Sequence, residues 1–180
     1  KNQILSKDKS DFLQQLNVAL EYIRETNEPF VFIIQKETFS DYKLQTPNNN
    51  ALLLDRETAI KIIVSSISKN DIVVSTTGMI SRELFEYRDN MGESHEKDFF
   101  TVGSMGHASQ IALGIALQKK ARTVYCFDGD GAVLMHMGGL STIGSIKPSN
   151  YIHVLFNNGA HDSVGGQPTV GFEVDFTKIA

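Results

Sequence analysis

The chain has 180 residues, 41% of them apolar and 21% charged, with 14 Gly and 4 Pro; this composition fits a globular domain and excludes a disordered, collagenous or low-complexity polypeptide. No apolar run approaches the roughly 20 residues that a membrane-crossing helix needs, and a net charge of −4 with no Lys/Arg cluster argues against nucleic acid as a partner. A single cysteine, Cys126, cannot close an intramolecular disulfide, and with no charged-then-apolar leader the expected location is the cytoplasm.

From Asp11 to Thr26 the apolar residues Phe12, Leu16, Ala19, Leu20 and Ile23 recur every three or four positions, the period of an amphipathic helix. Asn27 and Pro29 end it. Phe30 to Gln35 (FVFIIQ) is a short apolar run rich in aromatic and β-branched residues and is expected to be a strand buried on both faces. Residues 38–54, which include TPNNN, have no sustained period and read as a linker. Asp55 can cap a helix running through Ala59, Ile62, Ile63 and Ile67, followed by a strand at Ile72 to Ser75.

After Gly78 a helix is expected at Ser81 to Tyr87, then a charged, exposed loop from Arg88 to Asp98 and a strand from Phe99 to Val102. The helix from His107 to Lys120 carries Ala108, Ala112, Gly114 and Ala116, small residues that allow close approach to a sheet. Thr123 to Phe127 reads as a strand, Met135 to Ile146 as a helix, Tyr151 to Phe156 as a strand, and DFTKIA as the start of a helix capped by Asp175. Strands alternating with helices call for an α/β fold with a mostly parallel sheet covered by helices on both faces. The glycine turns at Gly78, Gly103 and Gly129 follow strand ends, where such sheets bind ligands.

Gly129-Asp130-Gly131 follows one strand end and Asn157-Asn158 ends the next strand. One helix and one strand return the chain to the same sheet edge. Asp130 and Asn158 can therefore offer oxygen ligands to one hard cation, while glycine backbone approaches phosphate oxygens beside it. Gly-Asp-Gly also serves as a simple turn, and Asn-Asn as a cap.

The run GDGAVLMHMGGLSTIGSIKPSNYIHVLFNN resembles the thiamine diphosphate signature that begins GDG and ends NN, found in the diphosphate-binding domain of thiamine-dependent enzymes. VGSMGHASQIALGIAL is similar to the segment that holds the cofactor's pyrimidine in that superfamily. More narrowly, TTGMISRELFE, GSMGHASQIALGIAL and NNGAHDSVGGQPTVGF resemble the phosphonopyruvate decarboxylase family, with the sulfopyruvate decarboxylases its nearest relatives.

The resemblance implies a thiamine diphosphate-binding fold and a carboxy-lyase that uses thiamine diphosphate and Mg²⁺ on a small anionic 2-oxo acid. It implies Mg²⁺ ligation by Asp130, the side-chain oxygen of Asn158 and the carbonyl of Ala160. Gly129, Gly131 and Ala132 would present backbone to the diphosphate, the Gly103 carbonyl would accept from the aminopyrimidine, and Met105 would wedge under the thiazolium. Met105 read by itself is an ordinary core methionine.

The glutamate that activates the cofactor in that family lies on a pyrimidine-binding domain and has no counterpart here. Residues 1–37 are expected to be the end of such a domain, and 55–180 a diphosphate-binding domain cut short at its C-terminus. Lys1 in place of Met fits a piece of a longer polypeptide. The expected partner is therefore a pyrimidine-binding domain of the same or another subunit, within a homo-oligomer, with this chain inactive alone. A sulfopyruvate decarboxylase, an acetolactate-synthase-like carboligase and a non-catalytic cofactor-binding or assembly module are the alternatives.

Arg82 can attract an anionic substrate tail or pair with Glu83 or Glu86. His107, His161, Asp162 and Ser163 flank the cofactor segments and can face substrate or serve as loop residues. His136 and His153 read as packing or surface residues, and Cys126 as a small buried core residue.

Overall fold

The computed structural model describes residues 1–41 and 54–180. These fall into two compact units, divided within the segment between them. The linker expected at 38–54 lies mostly outside the described residues.

In the first unit, β1 (Asn2–Ile4) and β2 (Val31–Ile33) pair in parallel, joined by α1 (Lys9–Thr26) as the crossover. Asp8 caps α1 by accepting the Ser10 and Asp11 N–H groups, and Asn27 ends it in the left-handed conformation at φ 55°. The strand expected at Phe30 to Gln35 to be buried on both faces is three residues long and itself exposes apolar side chains. Val31 and Ile33 are 55% and 49% exposed. Composition announces the strand, but burial depends on what lies over each face, and β1 is its one strand partner among the described residues.

The second unit opens with α2 (Arg56–Ser66), capped by the Asp55 carboxylate accepting the Thr58 N–H at 2.8 Å. It continues through β3 (Ile72–Ser75), α3 (Met79–Asn90), β4 (Asp98–Phe100), α4 (Ala108–Gln118) and β5 (Val124–Gly129). Then come α5 (Asp130–Met135), α6 (Gly138–Ile146), β6 (Tyr151–Phe156), the antiparallel pair β7 (Ala160–His161) and β8 (Gln167–Pro168), and α7 (Phe176–Ile179), capped by Asp175.

Strands β3 to β6 form one parallel sheet in the order β4-β3-β5-β6. Helices cover both faces. Ala108, Ala112 and Ala116 of α4 pack against Ile72, Val74, Val124 and Cys126, while Ile60, Val64, Ile80 and Leu84 of α2 and α3 pack against Val73 and Phe127. Leucine-sized side chains at the alanine positions would hold α4 away from the sheet. No described helix is long and apolar enough to cross a membrane.

Two further expectations need correction. The helix anticipated from Met135 to Ile146 is two helices, α5 and α6, interrupted at His136 (φ −135°, ψ 42°). Gly138 and Gly139 weaken helical continuity there, and His136 Nδ1 lies 2.9 Å from the Met105 carbonyl. The segment Arg88 to Asp98 is not an exposed charged loop throughout, because α3 continues to Asn90 and the Asp98 side chain is 1% exposed. Arg88 donates to Asp98 through Nε at 2.8 Å and Nη2 at 3.1 Å, a forked geometry that makes burial of the carboxylate tolerable.

Candidate functional site

The chain leaves β3 toward β4 on one side and leaves β5 toward β6 on the other, so the sheet order reverses between β3 and β5. Parallel sheets open a crevice at this switch point, at the carboxyl ends of the two strands. A cleft of about 800 Å³ lies there, lined by Thr76 and Thr77 after β3 and by Gly129 and Asp130 at the end of β5. Backbone hydrogen bonds fix its floor: the Thr76 N–H donates to the Phe127 carbonyl at 2.8 Å, and the buried Ser81 hydroxyl donates to the Thr76 carbonyl at 2.6 Å.

Asp130 is 2% exposed, and its Oδ2 accepts the Thr169 hydroxyl. Thr169 is held in turn by the Gly171 N–H, which donates to Thr169 Oγ1 at 3.0 Å, and by its own N–H donating to the Gly159 carbonyl at 2.8 Å. Asn157 donates through Nδ2 to the Gly171 carbonyl at 2.6 Å and accepts the Gly159 N–H at 3.1 Å. Asn158 Oδ1 accepts the Ala160 N–H at 3.1 Å, and its Nδ2 donates to Asp162 at 2.7 Å. The segment after β8 is thus laced to the Asn-Asn turn and to Asp130 together.

Two glycines leave no room for a side chain. A Cβ on Gly131 would stand 2.4 Å from the His161 ring, and one on Gly171 would stand 2.6 Å from Asp130 Oδ2 and 2.5 Å from Asn157 Oδ1. Asp130, Asn158 and Ala160 all line this cleft, and the atoms they can offer are a carboxylate, an amide oxygen and a main-chain carbonyl. These are hard oxygen donors. With glycine backbone beside them, they fit a Mg²⁺ ion that retains phosphate and water oxygens in its shell.

Of the residues singled out from the sequence, Met105, Gly129, Asp130, Gly131, Ala132, Asn158, Ala160, His161, Asp162 and Ser163 all line this cleft. Gly103, at φ 73°, is exposed and donates its N–H to Thr77 Oγ1 at 3.1 Å. His107 is also exposed, and its ring stands edge-on to His136 with centroids 4.3 Å apart. Arg82 is exposed and outside the lining.

The charged group that the sequence reading missed is Arg56, the sole Lys or Arg among the described lining residues. It donates to Glu83 through Nε and Nη2, each at 2.8 Å, and to Asp162 through Nη1 at 2.9 Å. Hydrogen bonding to Glu83 pushes its pKa above the ordinary arginine range, with burial opposing and Asp162 assisting. Its position just after a capping Asp was legible; its partners, far away in sequence, were not. Thr169 and Gly171 were missed for the same reason.

Residues 76–180 match the family described as thiamine pyrophosphate enzyme, C-terminal TPP binding domain. The chain is 40% identical over 134 residues to a phosphonopyruvate decarboxylase of Streptomyces viridochromogenes, a match covering 74% of this chain and 32% of that protein. It is 32% identical over 192 aligned positions to the phosphonopyruvate decarboxylase of Streptomyces hygroscopicus, covering 98% of this chain and 46% of the relative. It is 44% identical over 122 residues to the sulfopyruvate decarboxylase subunit beta of Methanocaldococcus jannaschii, covering 67% of this chain and 62% of that subunit. The chain thus spans less than two thirds of the length of each of these relatives. With the matched region carrying Asp130, Asn158 and Ala160 on one wall of the switch-point cleft, the chain belongs to the thiamine pyrophosphate enzyme family through its C-terminal TPP binding domain.

Proposed function

We propose that the chain supplies the diphosphate and Mg²⁺ half of a cytoplasmic thiamine diphosphate-dependent decarboxylase that converts phosphonopyruvate to phosphonoacetaldehyde and carbon dioxide in phosphonate biosynthesis. The observation that carries this reading is the buried Asp130 at the end of β5, facing one cleft together with Asn158 and Ala160. Asp130, Asn158 and the Ala160 carbonyl hold Mg²⁺, and the backbone of Gly129, Gly131 and Ala132 faces the diphosphate. Bound thiamine diphosphate supplies the electron sink for the pair left when carbon dioxide departs.

The remaining work belongs to the protein. Thr169 and Gly171 hold the Asp130 carboxylate in place, and Met105 supports the cofactor from the turn that His136 anchors. Gly103 accepts the aminopyrimidine through its carbonyl. His161 and Asp162 line the substrate side of the cleft, beside Arg56, whose guanidinium is held by Glu83 and Asp162. Residues 1–37 belong to a pyrimidine-binding domain, whose glutamate completes the site, and the complete enzyme is a homo-oligomer.

The resemblance to sulfopyruvate decarboxylase subunit beta supports a second reading, in which the chain pairs with a separate subunit and the substrate tail is a sulfonate. Assays of this chain together with the pyrimidine-binding domain that completes it, using phosphonopyruvate, sulfopyruvate and pyruvate, separate these readings. The expected result is the highest kcat/KM for phosphonopyruvate, with no turnover by the 180-residue chain alone. Preference for sulfopyruvate selects the second reading. Carboligation of pyruvate, or cofactor binding without turnover of any of the three, overturns both.

A further inference from the structure

Cys126, Asp128 and His153 lie outside the lining of the Asp130 cleft and form a cluster of their own. Residues two apart on a strand share a face, so Cys126 and Asp128 project from the same side of β5. The parallel register sets His153 of β6 beside Cys126. Cys126 packs in the core beneath α4, so the cluster occupies that face of the sheet. A sulfur, a carboxylate oxygen and a ring nitrogen come within 4.8 Å of one another.

The hydrogen bonding at this cluster is incomplete. Cys126 and Asp128 are fully buried, and the His153 side chain is 17% exposed. Asp128 Oδ1 accepts the Gly129 N–H at 3.1 Å, whereas Asp128 Oδ2 and His153 Nε2 have no hydrogen-bond partner although they stand 3.4 Å apart. The two atoms stand within ion-pair reach yet make no hydrogen bond to each other, and leaving buried polar atoms without one is costly. The separation instead matches a shared ion: two ligand atoms, each about 2.0–2.1 Å from a tetrahedral Zn²⁺, stand about 3.4 Å apart.

We propose that Cys126, Asp128 and His153 are three ligands of a tetrahedral Zn²⁺ site between the sheet and α4, separate from the hard-cation site at Asp130. The charges close. A thiolate, a carboxylate and a neutral imidazole cancel a divalent cation, so the loaded site is neutral, as its burial requires. Binding displaces the thiol proton to solvent and forms the sulfur–metal bond, with no change in oxidation state. Mixed sulfur, nitrogen and oxygen donors favour Zn²⁺ over Mg²⁺. His153 also lines a second cleft of about 630 Å³, which offers a path from solvent and room for a fourth ligand such as water. The ion would clamp β5 to β6, the strands that lead into Asp130 and Asn158.

Cobalt(II) is the probe, because Cys126 is the sole cysteine and any thiolate-to-cobalt charge-transfer band reports it alone. The chelator-treated full chain is titrated with Co²⁺ directly and after refolding in Co²⁺, so that slow entry is not mistaken for absence. The expected result is a charge-transfer band saturating at one equivalent, removed by Zn²⁺, absent in Cys126→Ser and retained in Asp130→Asn. In His153→Gln, checked for folding by circular dichroism, the Co²⁺ affinity should fall at least tenfold. Absence of the band from the unmodified chain after both treatments overturns the proposal, whatever the variants do. Unchanged affinity in a folded His153→Gln also overturns it.

Discussion

Gly171→Ala tests the reasoning about the Asp130 site at its tightest point. A Cβ at this position would stand 2.6 Å from Asp130 Oδ2, 3.0 Å from Asp130 Cβ and 2.5 Å from Asn157 Oδ1, where ordinary contact begins at 3.4 Å. Relief demands that the Asp130 carboxylate give way by about 0.8 Å and the Asn157 amide by about 0.9 Å, or that the Gly171 backbone move as far, and the carboxylate is buried and tied to Thr169. Mg²⁺ tolerates little of this, since its oxygen ligands sit at about 2.0–2.1 Å in near-octahedral geometry. Disturbing the group that orients a metal ligand typically lowers affinity 10- to 100-fold, which is about 1.4–2.8 kcal/mol. The methyl group also overpacks the site, at about 1–3 kcal/mol of stability. Calorimetric titration with thiamine diphosphate in Mg²⁺, far below the unfolding midpoint, reads the affinity apart from the stability. The expected outcome is a loss of tenfold or more relative to the unmodified chain. Equal affinity in the two proteins would refute the account of Gly171, and absence of binding by the unmodified chain would refute cofactor binding by this half of the site alone.

Two further predictions concern other parts of the fold. Arg88→Met leaves the Asp98 carboxylate buried without its partner, which at pH 7 costs about 3–5 kcal/mol. Burial already holds the Asp98 pKa above its ordinary value, opposed by Arg88, so loss of the arginine raises it further. A raised carboxyl favours the folded state below the unfolded pKa and loses that advantage as pH rises through the folded one. Urea unfolding should therefore show a smaller penalty at pH 4 than at pH 7, and an equal penalty at both would contradict the assignment. His136→Ala removes the side chain that holds the Met105 carbonyl at 2.9 Å, in a turn where Ser104 and Gly106 both have positive φ. Misplacing a group that positions the cofactor should lower kcat of the completed enzyme by about 10- to 100-fold. KM should change much less, whereas a change confined to KM would show that the turn serves substrate binding alone.

Much of this protein is legible in local sequence, because local sequence controls local structure. The caps at Asp55 and Asp175, the apolar period of α1, the four strands of the main sheet and the small residues of α4 all follow from interactions a few residues in range. The pairing of Gly-Asp-Gly with Asn-Asn is legible too, since one parallel crossover returns the chain to the same sheet edge, and Asp130, Asn158 and Ala160 do line one cleft. Break points were less clear. The division between α5 and α6 depends on His136 reaching back to the Met105 turn, which no local pattern shows.

The sequence by itself determined the fold class and the family and singled out Asp130, Asn158 and Ala160 as the proposed oxygen donors, because these depend on strand–helix alternation and on a motif contained in adjoining elements. Tertiary structure alone decided what surrounds those donors. Arg56 faces the cleft because Glu83 and Asp162 meet it there, Gly171 must be glycine because Asp130 occupies the space its Cβ would take, and β2 is exposed despite its apolar composition. It likewise joined Cys126 and Asp128 to His153 through the β5–β6 register, turning three unremarkable core and surface residues into one donor cluster. The physical reason is common to all of them: burial, collision and ligation depend on separations in space, and these are set by how strands pair and helices pack.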